Sequence, residues 1–231
     1  MSGSLHVYSS GATAPPLQKA AKEFQAGFDT RFDFTIGKAE GLISQIMETR
    51  EGDVLSCGAE YILDDAAHKG LIVRDTTRSV GYRRSVILVP MGNPEKIESL
   101  VDLTRKGVKV GVSIAGCLLG VWDDICSKAG LTDMIRTNIT EFAEGCGAVM
   151  ALIHEKKVDA IFGWNAFGNL WPRTAETVEL PKELQVYRST GVAVIEYSNN
   201  KEFANRFIEF LTSKEGRKIY SDYGWVHQIQ R

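Results

Sequence analysis

Short apolar runs separated by helix-patterned stretches recur from one end of this chain to the other. Leu5 to Tyr8, Arg31 to Ile36, Asp53 to Ser56, Val86 to Val89, Val108 to Val112, Asn138 to Phe142, Val158 to Phe162 and Thr190 to Tyr197 read as strands. Between them lie helical stripes: Leu17, Ala20, Ala21 and Phe24; Leu42, Ile43, Ile46 and Met47; then Tyr61 to Lys69, a run from the Cys117 turn to Lys128, and Ala148 to Lys156. Phe203, Phe207, Phe210 and Leu211 line a further helix, and Gly216 to Tyr223 continues helically after a break. Pro15 and Pro16 suit a helix's first turn, where missing N–H groups cost nothing. This alternation calls for a mostly parallel sheet with crossover helices, an α/β fold. In such sheets ligands bind at the turns that follow the strands.

Composition narrows the function. With 231 residues, 44% of them hydrophobic, the chain can fill one large core or two lobes. Net charge is −2 and the basic residues are scattered, so nucleic acid is excluded as a partner. No apolar run approaches the ~20 residues that span a bilayer. There is no nucleophile elbow, phosphate loop or zinc-protease motif, and no histidine base beside a cysteine, so no enzyme and no cofactor are expected. His6, His68, His154 and His227 show no metal spacing. Arg83 and Arg84 read first as solvated charges, the alternative being that one points toward the ligand, and Trp171 and Trp225 read as packing residues. The opening Met1-Ser2-Gly3-Ser4 reads as an appended start, with a native signal peptide or lipid anchor expected upstream.

Three of the four cysteines stand in glycine-flanked turns: Cys57 in Ser56-Cys57-Gly58, Cys117 in Ala115-Gly116-Cys117, and Cys146 in Gly145-Cys146-Gly147. If the turns converge, three thiolates would suit a soft ion such as Cu(I), Zn(II) or trivalent arsenic. Helix starts lower a thiol's pKa and favour ligation. The plainer readings are small buried residues in tight turns, or one or two disulfides, Cys117–Cys146 among them. Cys126 lies on a helix interior with Val121, Trp122 and Ile125 and reads as core.

The order of segments resembles the type II periplasmic substrate-binding proteins of ABC importers, most closely the molybdate-binding branch. The resemblance is carried by Leu5 to Phe24, by Phe34-Thr35-Ile36-Gly37 with Leu42 to Ile46, and by Gly52-Asp53-Val54. Val86 to Pro94, Val149 to Leu152 with Val158 to Ile161, and Ala204 to Gly224 extend it nearly end to end. It implies two Rossmann-like lobes joined by two crossover strands: residues 1–83 plus 190–231, and 84–189. The ligand would lie between lobes that close over it. The protein would act as a monomer outside the cytoplasmic membrane and serve an ABC permease.

Departures from that branch bear on the ligand. The two oxyanion-holding serines of the branch fall on Ala12 and Ala39, and its site tyrosine on Trp164, which donates only through its indole N–H. Each lost donor to a buried charge costs about 1.5–3 kcal/mol. Two losses weaken binding by roughly two to four decades. Ser9, Ser10, Thr13, Lys38 and the backbone at Gly11 are available to compensate. The expected ligand contacts are therefore Ser9, Ser10, Gly11, Ala12, Lys38, Ala39, Cys57, Cys117, Cys146 and Trp164, with the three cysteines as the metal set. A thiophilic ion is the first expectation and a molybdate-, tungstate- or sulfate-like oxyanion the second. A cytosolic ligand-sensing domain on the same fold is the rival of another class.

Overall fold

A computed structural model describes residues 3–28 and 30–229; Met1 and Ser2, half of the segment read as an appended start, lie outside the described residues. Chain contacts divide it into two compact units, one formed by the residues up to Tyr82 with Arg188–Gln228, the other by Arg83–Tyr187.

Unit 1 opens with β1 (Gly3–Ser10), α1 (Ala14–Gln25), β2 (Thr30–Gly37), α2 (Ala39–Thr49), β3 (Val54–Cys57) and α3 (Glu60–His68). The next strand, β4 (Arg78–Pro90), carries the chain into unit 2. There follow β5 (Val110–Ser113), α4 (Val121–Lys128), α5 (Thr132–Arg136), β6 (Ile139–Ala143), α6 (Cys146–His154), β7 (Ala160–Trp164), α7 (Ala166–Leu170) and β8 (Ala175–Val178). Finally β9 (Tyr187–Val194) returns to unit 1, which ends with α8 (Lys201–Thr212) and α9 (Lys214–Asp222).

In unit 1 the strand order is β2-β1-β3-β9; the first three run parallel and β9 antiparallel to β3. Every residue of β3 is buried, Ser56 included, as expected of a central strand covered by helices on both faces. The predicted stripe of α1 is the buried one, and Phe24 lies 5.3 Å from Phe207 and 5.7 Å from Phe203 of α8. Phe207 is fully buried and also packs on Phe32, 4.7 Å between centroids. This aromatic cluster ties the C-terminal helices to the N-terminal βα unit.

In unit 2, β5 lies between parallel partners β6 and β7, while β4 pairs antiparallel with β7 and β8. All of β5 and β7 is buried. Several features differ from the sequence reading. Strand β4 extends far beyond the Val86–Val89 run, because polar Arg83 and Arg84 also lie in extended, paired backbone. Arg83 is not solvated but fully buried, while Arg84 pairs with Glu179. The helix expected to grow from the Cys117 turn begins only at Val121, after a separate short turn at Gly116–Leu118. Cys126 is core as expected; burial, reinforced by Asp123, pushes its thiol up to about 12. Trp225 packs as expected and donates to Thr190 Oγ1 at 2.8 Å. Among the described residues, no helix is long and apolar enough to cross a membrane.

Candidate functional site

Parallel pairing brings the carboxyl ends of β1, β2 and β3 to one edge of the unit 1 sheet. Ser9 pairs in register with Ile36 and Ser56, and Ser10 with Gly37. The starts of three helices follow directly, where free backbone N–H groups favour anions. At the first, Thr13 Oγ1 donates to the Ser10 carbonyl at 2.9 Å and lies 3.1 Å from Ser9 Oγ and 3.0 Å from Ser10 Oγ. Ser9 and Thr13 are fully buried, Ser10 and Ala12 half-buried, and Gly11 exposed. At the second helix start, Lys38 is exposed in extended backbone and Ala39 is buried. On β3, Ser56 is fully buried and its Oγ has no hydrogen-bond partner among the described residues. It faces the same side of the sheet as its register partner Ser9. A buried hydroxyl left unpaired at the end of a strand is uncommon and calls for a cause. The sequence reading missed Ser56; its place before Cys57 in a βα turn was the available signal.

The same geometry operates in unit 2. There β5, β6 and β7 run parallel, and Cys117, Cys146 and Trp164 follow or close them. Cys117 Sγ lies 2.9 Å from Cys146 Sγ and accepts the Trp164 indole N–H at 3.3 Å. Two glycines make this approach feasible. Gly116 (φ 63°) and Gly145 (φ 89°) both adopt left-handed backbone, and a Cβ on Gly116 would sit 3.8 Å from the Gly145 Cα. Ser113 clamps the two turns, accepting the Gly145 N–H at 3.1 Å and donating to the Ala115 carbonyl at 3.0 Å.

Arg83 completes the cluster. Its guanidinium carbon stands 5.1 Å from the centre of the Trp164 ring, in cation–π range, and its charge acts on both sulfurs. The hydrogen bond from Cys146 holds the Cys117 thiol well below the usual range, helped against burial by Arg83 and the Trp164 N–H. Cys146, which keeps the shared proton and is desolvated, is raised well above that range. A thiolate on Cys117 would thus be favoured by its thiol neighbour and by the buried cation. The sequence reading favoured a solvated charge for the Arg83-Arg84 pair over one turned toward the ligand; the apolar run that follows in β4 was the signal for burial of Arg83.

The structure therefore brings Cys117, Cys146 and Trp164 together in unit 2, whereas Ser9, Ser10, Gly11, Ala12, Lys38, Ala39 and Cys57 belong to unit 1. Cys57 closes β3, fully buried, in register with Gly191. Among the described residues no three His, Cys, Asp or Glu side chains are grouped to hold a metal ion. Of the three sulfurs expected to hold a soft ion, two meet in unit 2, and the third, on Cys57, is buried in the unit 1 sheet.

Comparison with known proteins agrees with this architecture. The profile of the bacterial extracellular solute-binding protein family matches residues 5–226. The chain belongs to that family. As a bacterial extracellular solute-binding protein of the ABC-transporter type, it falls in a family of transport proteins rather than of enzymes. It is 21% identical to the molybdate-binding protein ModA of Mycobacterium tuberculosis, over 96% of this chain and 84% of that protein. Its fold matches PEB3 solved with L-phospholactate at a TM-score of 0.86, with 23% identity, 97% of this chain and 100% of the other covered. The periplasmic molybdate-binding protein of Azotobacter vinelandii superposes at a TM-score of 0.81, with 15% identity over 97% of this chain and 99% of that one.

Proposed function

We propose that this solute-binding protein captures a small tetrahedral oxyanion, free or carried on a compact organic molecule, outside the cytoplasmic membrane and delivers it to an ABC permease. The observation that carries the reading is the unpaired, buried Ser56 hydroxyl beside the Ser9–Ser10–Thr13 hydroxyl turn, at an edge where three helix starts meet. Hydroxyl donors and backbone N–H groups are the partners an oxyanion needs. No acidic side chain interrupts Ser9 to Thr13, and Lys38 adds positive charge at the second turn. Ser56 supplies in part what Ala12 and Ala39 withhold. That a relative is named for molybdate and a structural neighbour holds L-phospholactate supports the same class.

A ligand panel tests it. Molybdate, tungstate, sulfate, phosphate and phospholactate are compared by thermal shift with cuprous, zinc and arsenite ions under reductant. A ligand at a hundred times its Kd stabilises by about 2.7 kcal/mol. For a chain of this size that is a rise of about 5–10 °C in Tm. An oxyanion should give it, and thiol alkylation should leave the rise intact. A shift produced by soft ions alone, and abolished by alkylation, would overturn the oxyanion reading.

A further inference from the structure

We propose that Cys117 and Cys146 form a thiol–disulfide exchange site, in which an external disulfide reversibly converts the pair into an intramolecular disulfide. Four observations converge on it. The two sulfurs already stand 2.9 Å apart, far closer than unbonded packing of two thiols requires. The turns that carry them are held in place by Ser113 and by left-handed glycines, so bond formation asks little of the backbone. Trp164 and the buried Arg83 direct an N–H donor and a positive charge at the sulfurs, the surroundings that activate a thiolate. A cation beside the pair also opposes capture of a metal cation there, which sets exchange chemistry apart from metal ligation. Finally, Cys146 is half-exposed while Cys117 is buried, the division between an attacking and a resolving thiol.

The step balances as follows. The pair begins with one proton and one negative charge. The sulfur of Cys146, the less buried of the two residues, attacks one sulfur of a disulfide RSSR as its proton passes to Cys117, forming Cys146–S–SR and releasing RS⁻. Cys117 then gives its proton to that departing thiolate and attacks the Cys146 sulfur, expelling the second RS⁻. The protein sulfurs lose two electrons, RSSR gains them, and the products are the Cys117–Cys146 disulfide, RSH and RS⁻. Oxidation also removes the negative charge of the sulfur pair from the side of the buried Arg83.

The whole protein, fully reduced, is equilibrated in glutathione buffers of graded thiol-to-disulfide ratio, quenched with acid, unfolded, alkylated with iodoacetamide and read by intact and peptide mass. Alkylatable thiols should fall from four to two. Mapping should recover a Cys117–Cys146 cross-linked peptide pair, and added thiol should restore all four sites. Cys117→Ser should instead accumulate a lasting glutathione adduct on Cys146. Four alkylated cysteines at the oxidising end, glutathione adducts in place of the internal bond, or a bond to Cys57 or Cys126 would each overturn the proposal.

Discussion

Replacing Cys146 by alanine should move the titration of Cys117 sharply upward. The hydrogen bond from Cys146 is the largest cause of the low Cys117 pKa, ahead of Arg83 and the Trp164 N–H, with burial acting the other way. A hydrogen bond to a charged acceptor is worth about 1.5–3 kcal/mol. At about 1.4 kcal/mol per pH unit, its loss raises the Cys117 pKa by roughly one to two units. Thiolate absorbance near the far-ultraviolet edge, titrated in reduced protein and corrected with Cys117→Ser, reads the shift directly. Cys146→Ser keeps a hydroxyl donor and should recover part of it. The sign carries into stability. A depressed pKa means that the folded protein holds fewer protons than the unfolded one, between the folded Cys117 pKa and the ordinary thiol value near 8.5. Stability therefore rises with pH through that window, by up to about 1.4 kcal/mol per unit, and is lost as pH falls through the folded pKa. Above it the raised Cys146 acts in reverse, since only the unfolded thiol ionises there. Cys146→Ala should narrow the rising window from below. An unchanged titration in Cys146→Ala, in a variant that still melts cooperatively, would refute the assignment of the low pKa to the sulfur pair.

Two further variants probe unit 1. Ser56→Ala removes a buried hydroxyl that has no partner among the described residues, so the ligand-free Tm should hold or rise by the equivalent of ~1 kcal/mol. The same variant should lose most of the oxyanion-induced shift in Tm, measured side by side with the parent protein. Phe207→Ala empties the centre of the cluster formed with Phe24 and Phe32 and should cost about 3–5 kcal/mol, read as a lower urea midpoint.

Fold class was legible in this chain because its strands are buried on both faces. Runs such as Val54-Leu55 and Val110 to Val112 have no polar alternation to disguise them, and glycine or proline marks their ends. The register of parallel strands then made the turn residues predictable as a group, which is why Cys117, Cys146 and Trp164 converge. That Cys57 belongs to the other unit is something the alternation alone does not contain. Its strand pairs with β1 and β9 in unit 1, and which βα turns share a sheet is decided by topology. The burial of Arg83 was not legible because it depends on a distant partner, here the Trp164 ring eighty-one positions later in the chain. Strand β8, Ala175-Glu176-Thr177-Val178, pairs along β4 through backbone alone and has too little apolar pattern to betray itself.

Because unit 2 is spelled out between the two parts of unit 1, biosynthesis meets the molecule in an awkward order. By the time a ribosome has delivered Tyr187, every strand and helix of unit 2 has emerged, while β3 still waits for β9 and Phe24 for Phe207. The nascent protein thus carries an open sheet edge and uncovered aromatic rings until its last forty-odd residues arrive. Loss of β9, α8 and α9 would leave β3 without its antiparallel neighbour and Phe24 without Phe207, orphaning the N-terminal segment of unit 1.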